Sequence, residues 1–192
     1  MLFGAVAPAA RLPVSVPASP KQLPPYLDMG MATAPGRTHR YYDGSEGASL
    51  WPFGFGMSTT TFAYSGLKVA KGGGIRVSIR VANTGNRTSD EVTQIYTGFR
   101  NITSAESAPL QELKAFRRVA SLAPASALDL HFEIPLRGLR LMSSAGVFAV
   151  LPGTYDLWAG GRSPMPSGGP GVLGAEAIGT PHRPLHATFV LP

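Results

Sequence analysis

Residues 35–64 constrain the fold of this 192-residue chain more than any other segment. They read PGRTHRYYDGSEGASLWPFGFGMSTTTFAY, with eight aromatic side chains, counting histidine, and no helical or strand-like periodicity. Burying one such ring is worth roughly 1.5–3 kcal/mol, so an irregular segment this rich in rings is costly to leave in water. The segment must therefore pack against another part of the protein.

Composition narrows the classes of fold and chemistry. A hydrophobic fraction of 44% is ordinary for a globular protein, and 23 glycines with 18 prolines favour many turns. The length allows one domain with appendages or two small domains. The sequence contains no cysteine, which excludes disulfides, zinc-thiolate sites and thiol nucleophiles.

Charge and hydropathy bear on partners and compartment. The net charge is +6, but no run of five or six basic residues occurs, so nucleic acid is not an expected partner. No segment reaches the roughly 18 apolar residues of a membrane span. Residues 1–19 lack a basic region and an unbroken apolar core, so we expect no signal peptide there. The sequons at Asn86 and Asn101 would accept glycans in a secretory pathway, although sequons also arise by chance.

Three regions follow from the spacing of residue types. Six prolines within residues 1–34 predict an extended arm with no helix beyond a turn or two. Residues 35–65 form an aromatic connector. Residues 66–192 predict a β-sandwich, in which a Gly- and Pro-rich segment at about 160–184 is a mobile loop before the final strand.

The strand predictions rest on alternation. Apolar residues occupy the odd positions of 75–81, and the alternation returns in 91–99. Further strands are predicted at 114–119, 128–134, 146–150, 154–159 and 185–190. About seven short strands at this spacing indicate an all-β, immunoglobulin-like sandwich. We expect its buried face to contain Ile75, Val77, Ile79, Val81, Val92 and Tyr96.

The residues themselves indicate no active site. The glycine clusters at 71–74 and 168–171 lack the pattern of a phosphate-binding loop and predict turns. His182 and His186 are too few for a metal centre, and no two carboxylates are singled out as a glycosidase pair. We therefore predict no catalytic residue, no cofactor and no metal site.

A colinear series of motifs resembles the C-terminal end of glycoside hydrolase family 3, which contains β-glucosidases and β-xylosidases. Residues 2–15 are similar to the end of that family's α/β-sandwich domain. Residues 35–42 and 51–62 resemble its connector. The fibronectin type III-like domain of the family is matched by residues 81–85, 90–92, 110–119 and 151–155. The pairing of residues 28–31 with the Pro-Gly-Arg-Thr motif at residues 35–38 is most similar to the β-xylosidase and α-arabinofuranosidase branch.

The resemblance implies a non-catalytic accessory domain. The family's nucleophile is an aspartate on an N-terminal barrel, and its acid/base comes from the first two domains, so no catalytic residue is transferred to this chain. We expect the sequence to begin inside the second domain, as a truncated gene product, a fragment or a decayed duplicate would. The family also implies an extracellular or secretory location.

The same resemblance implies that the connector docks the sandwich onto the catalytic domains of the parent glycosidase. The candidate docking residues are Arg37, Tyr41, Tyr42, Trp51, Phe53, Phe55 and Phe62. We expect Trp51, Phe53 and Phe55 to be only partly covered within this chain. Polysaccharide is a further expected partner.

Two alternatives remain open. The chain could be a free-standing carbohydrate- or protein-binding sandwich that uses Trp51, Tyr41 and Phe55 as a stacking platform. It could also complete a glycosidase as a separate subunit.

Overall fold

A computed structural model describes residues 7–100, 102, 105, 108–164 and 183–192. Its strands are β1 (Phe62–Lys71), β2 (Gly74–Asn83), β3 (Ser89–Arg100), β4 (Glu112–Leu122), β5 (Ala127–Pro135), β6 (Leu141–Met142), β7 (Phe148–Ala149), β8 (Gly153–Gly160) and β9 (Leu185–Leu191). Helical turns are α1 (Thr38–Tyr41) and the 3-10 segments Pro20–Gln22 and Leu136–Leu139. No helix among the described residues is long and apolar enough to cross a bilayer.

Seven of these strands form two antiparallel sheets that enclose one core. One sheet has the order β1-β2-β5, and the other has the order β4-β3-β8-β9. Strands β6 and β7 form a separate short hairpin. The prediction of an all-β sandwich is therefore confirmed.

The alternation in β2 explains how the core forms. Ile75, Val77, Ile79 and Val81 are almost fully buried, whereas Arg76 on the opposite face is exposed. Successive side chains of a strand point to opposite faces, so one face of β2 is apolar and meets the second sheet. That sheet contributes, among others, Ile95, Val119, Tyr155, Leu157 and Phe189.

Strand β3 corrects the predicted core. Val92 and Tyr96 do not belong to the core cluster, whereas Ile95 does. Tyr96 is fully buried, but its ring lies against the rings of Phe53 and His39 on the outer side of the sheet. Both faces of β3 are covered, so its alternation could not reveal which face points to the other sheet.

Two strands extend into segments predicted to be irregular. Strand β1 begins at Phe62, within the residues assigned to the connector, and Phe62 is 1% exposed in the core. Gly160, at the start of the predicted mobile loop, ends β8. Residues 165–182 of that loop lie outside the described residues, as does Asn101, whereas Asn86 is exposed in the turn between β2 and β3.

Residues 12–16 of the arm run antiparallel to residues 51–55 of the connector. Leu12 donates its backbone N–H to Phe55 O at 2.8 Å, and its carbonyl accepts from Gly54 N at 2.8 Å. Val16 and Trp51 form a second pair of backbone hydrogen bonds, at 2.8 and 3.3 Å. The arm and the connector therefore form a two-stranded ribbon, which lets the prolines of the arm alternate with the positions that donate hydrogen bonds.

A buried ion pair fastens this ribbon to the sandwich. Arg11 Nη2 donates to Glu91 Oε2, and the two side chains are only 9% and 0% exposed. The Tyr64 hydroxyl donates to the other carboxylate oxygen of Glu91 at 2.6 Å. Glu91 in β3 thus connects the arm with a side chain of β1 in the opposite sheet.

We expect Arg11→Met to lower the free energy of unfolding by about 3–5 kcal/mol, because it leaves a buried carboxylate without its cation. The matched control is Arg80→Met, which breaks an ion pair with Asp129 whose side chains are 51% and 58% exposed. That change should cost only about 0–1 kcal/mol. Urea denaturation at pH 7 measures both, and equal losses would contradict the role assigned to Arg11.

Candidate domain-docking surface

The predicted docking residues differ in how much surface they offer. Phe62, Phe55 and Tyr42 are 1%, 6% and 8% exposed, so these rings are used inside the chain. Trp51 is 40% exposed, and the remaining candidates are half-buried. These remaining candidates are Arg37, Tyr41 and Phe53.

The expectation of partial exposure is confirmed for Trp51 and Phe53 and wrong for Phe55. The Phe55 ring stacks beside Trp51, with centroids 6.2 Å apart and planes inclined by 17°. Its backbone is hydrogen-bonded to the arm at Leu12. The Phe55 ring is therefore buried within this chain.

The connector is anchored on the outer face of β3 by polar contacts. Gln94 Nε2 donates to the carbonyls of Gly54 at 3.1 Å and Gly161 at 2.8 Å, and the Tyr96 hydroxyl donates to Gln94 Oε1. Ser163 N donates to Phe53 O at 2.9 Å. Gln94 is 3% exposed and fully used, so it fixes the connector between β3 and the chain after β8.

Gly54 is required at the centre of this contact. Its φ is +75°, in the left-handed region, and a Cβ atom there would lie 2.0 Å from Gln94 Oε1 and 2.8 Å from the Tyr96 hydroxyl. Only a residue without a side chain lets the backbone approach Gln94 this closely.

His39 in α1 covers the same contact. Its ring stacks on Phe53, with centroids 4.0 Å apart and planes inclined by 21°, and meets Tyr96 edge-on. Burial lowers the pKa of His39 to about 4, and the Arg40 cation also lowers it, whereas Glu112 opposes the change. The imidazole is therefore neutral at pH 7 and acts as an aromatic ring.

Arg37 organises the arm. Its Nη2 donates to Pro25 O at 3.1 Å and to Asp28 O, and its backbone N–H donates to Met31 O at 2.8 Å. These bonds hold residues 23–31 as a defined loop, called here the 23–31 loop. The sequence predicted Arg37 as a docking residue but missed this loop, although its closely spaced large apolar residues between prolines and a glycine were a signal.

Two grooves flank the anchored connector. One, of about 570 Å³, lies between the arm and α1 and is lined by Leu23, Met31, Arg37, His39 and Phe53, among others. The other, of about 600 Å³, lies between the arm and the β3–β4 face. Their apolar and ring surfaces suit packing against another protein surface.

Several charged side chains of the described residues form ion pairs within the chain. Glu91 binds Arg11, and Asp156 accepts from Arg100 at 2.8 and 3.0 Å and faces His186 Nε2 at 2.6 Å. Within the described ranges, no group of three or more His, Cys, Asp or Glu residues could hold a metal ion.

Comparison with known proteins defines the class of this fold. Residues 91–163 match the family described as "Fibronectin type III-like domain". The structure of a GH3 β-glucosidase from Bifidobacterium adolescentis superposes with a TM-score of 0.75 and 26% identity, covering 100% of this chain and 27% of that one. The sandwich is a fibronectin type III-like domain.

Sequence relatives define the family. A periplasmic β-glucosidase of Salmonella typhimurium is 31% identical over 172 residues, which cover 83% of this chain and 22% of that protein. A β-xylosidase of Formosa agariphila is 33% identical over 169 residues, covering 85% and 23%. The chain thus spans between a fifth and a quarter of the length of these relatives. It corresponds to a C-terminal accessory part of a glycoside hydrolase family 3 enzyme, including the fibronectin type III-like domain.

Gly54→Ala should destabilise the chain through steric contact with Gln94. The matched control is Gly146→Ala, because Gly146 has the same φ of +75° but a Cβ atom there would meet nothing within 4 Å beyond its chain neighbours. The backbone cost of about 1–2 kcal/mol is shared by both variants. The clash should add about 1–3 kcal/mol for Gly54 alone, measured by urea denaturation. Equal losses would show that Gln94 moves aside freely.

His39 should make stability fall on acidification. The pKa is 6.5 in the unfolded state and about 4 in the folded state, so the unfolded chain binds the proton more readily. Stability from this residue is therefore complete above pH 6.5 and is lost as the pH falls from 6.5 to about 4.

His39→Phe keeps an aromatic ring and removes the proton site, so its stability should decline less over this interval. Urea denaturation at several pH values compares the two proteins. Burial raises the pKa of Glu91, so protonation of Glu91 favours the folded state on acidification, opposite to the effect of His39. Glu91 is present in both proteins, so the difference between them isolates His39. Parallel pH profiles would contradict the assignment.

Proposed function

We propose that this chain is the docking and stabilising accessory part of a family 3 glycosidase, acting in cis on the catalytic domains of the same polypeptide. The parent activity would be hydrolysis of β-glucosidic, β-xylosidic or arabinosidic bonds. The observation that supports this proposal is that the arm, the connector and the sandwich form one hydrogen-bonded unit, joined through Glu91 and Gln94. The unit matches between a fifth and a quarter of the length of its relatives, which are glycosidases.

The proposed mechanism is mechanical. We assign the arm (1–34) and the connector (35–65) to the interface with the catalytic domains. The sandwich (66–192) would support that interface. Arg37, Tyr41, Trp51 and Phe53 keep partly accessible surface beside the two grooves, which supports their part in docking. Buried Tyr42, Phe55 and Phe62 would act indirectly, by fixing the backbone beneath that surface.

Binding of polysaccharide is a weaker proposal. A stacking platform of Trp51, Tyr41 and Phe55 needs three accessible rings, and Phe55 is 6% exposed. Trp51 alone offers a substantial exposed face, so placement of a polymeric substrate would be a secondary role.

The test has two parts: an assay of the chain by itself and a fusion of the chain into a related glycosidase, called here the graft. The chain by itself should give no turnover of aryl β-glucosides or β-xylosides. The S. typhimurium β-glucosidase, deprived of the segment that matches this chain, should regain heat resistance of its activity when this chain is fused in place of the segment. Turnover by the isolated chain that a point substitution abolishes, or a graft no more stable than the truncated enzyme, would overturn the proposal.

A further inference from the structure

We propose that the 23–31 loop is the principal contact between this chain and the catalytic part of the same polypeptide. The inference rests on the proposed function and names the segment that performs the docking. It moves the centre of the interface from the connector rings to a loop of the arm.

The loop displays large apolar side chains to solvent. Tyr26, Leu27 and Met29 are 91%, 87% and 82% exposed, and Leu23 and Met31 are 58% and 45% exposed. Scattered exposed apolar residues are normal, but five within one loop form a patch of the kind that marks an interaction site.

The loop is ordered by its own polar groups. Asp28 Oδ1 accepts from Gly30 N at 2.7 Å, Asp28 N donates to Pro25 O at 3.1 Å, and Arg37 Nη2 spans the carbonyls of Pro25 and Asp28. The apolar side chains are thus presented on a fixed backbone without being used to hold it. A preorganised loop loses little conformational freedom on docking.

The chemistry of the loop specifies an apolar partner surface. Asp28 carries the only formal charge within residues 23–31 at neutral pH, and its carboxylate is already engaged by Gly30. Leu23 and Met31 also line the groove that contains Arg37, His39 and Phe53. The two ends of the loop therefore line the same groove as these connector residues.

The size of the loop favours a tethered partner over a second copy. Stable interfaces between separate chains bury roughly 800 Å² per partner, so a loop of nine residues would have to be covered almost completely to form one. A tethered segment meets its partner at high effective concentration and needs less area. The relatives provide such a partner, since this chain accounts for only 22–23% of their length.

The experiment uses the graft into the S. typhimurium β-glucosidase described above. The loop variant is Tyr26→Ser/Leu27→Ser/Met29→Ser. The matched control is Val147→Ser/Phe148→Ser/Val190→Ser, which removes apolar side chains that are 59%, 62% and 55% exposed elsewhere on the sandwich. Both sets are also made in the isolated chain. The measurements are the half-life of activity of the graft at an inactivating temperature and the urea midpoint of the isolated chain.

We expect the loop variant to shorten the half-life of the graft by about tenfold or more, with the control near the unmodified graft. The urea midpoint of the isolated chain should be unchanged by the loop variant. Equal half-lives for the two sets in a graft that is otherwise stabilised would overturn the loop assignment and leave the accessory function intact. A graft that gives no stabilisation at all would overturn both.

Two further results would also overturn the loop assignment. A lower urea midpoint of the isolated chain in the loop variant would show that the loop supports the chain's own fold. Dimerisation of the isolated chain that the loop variant abolishes, seen by sedimentation velocity, would identify a second copy as the occupant.

Discussion

The fold depends on the buried carboxylate of Glu91. It accepts from Tyr64, which lies in the opposite sheet, and from Arg11, which lies in the arm. Burial raises the pKa of Glu91 against the opposing effects of Arg11 and Tyr64, so the ionised carboxylate is stable only with both partners in place. The arm is therefore a structural part of the sandwich, because removing it would leave a charge buried and unpaired.

Strand β3 is covered on both faces. One face carries Ile95 into the core, and the other carries Gln94 and Tyr96 under the connector. Two connector rings, Phe53 and the neutral ring of His39, pack against Tyr96 on that second face. The most exposed large apolar side chains of the described residues, Tyr26, Leu27 and Met29, lie in the arm, where Arg37 holds the loop without covering them.

This organisation suits an accessory part of a larger enzyme. A rigid attachment needs a support that folds cooperatively and a surface that does not take part in that folding. The ion pair, the Gln94 contacts and the core provide the support, and in our proposal the exposed residues of the arm would provide the surface. The acidic side chains near the contacts serve structural pairs.

The sequence by itself determined the all-β sandwich, since the alternation in residues 75–81 and the regular spacing of turns are local properties of a strand. It also determined that the described part of the arm contains no helix longer than a single turn, because proline interrupts longer helices. Only the tertiary structure decided that Val92 and Tyr96 face the connector, that Phe55 and Phe62 are covered, and that Tyr26, Leu27 and Met29 are not. Periodicity predicts that a side chain packs against another part of the protein. The residues that it packs against depend on contacts between positions far apart in the chain, such as Arg11 with Glu91.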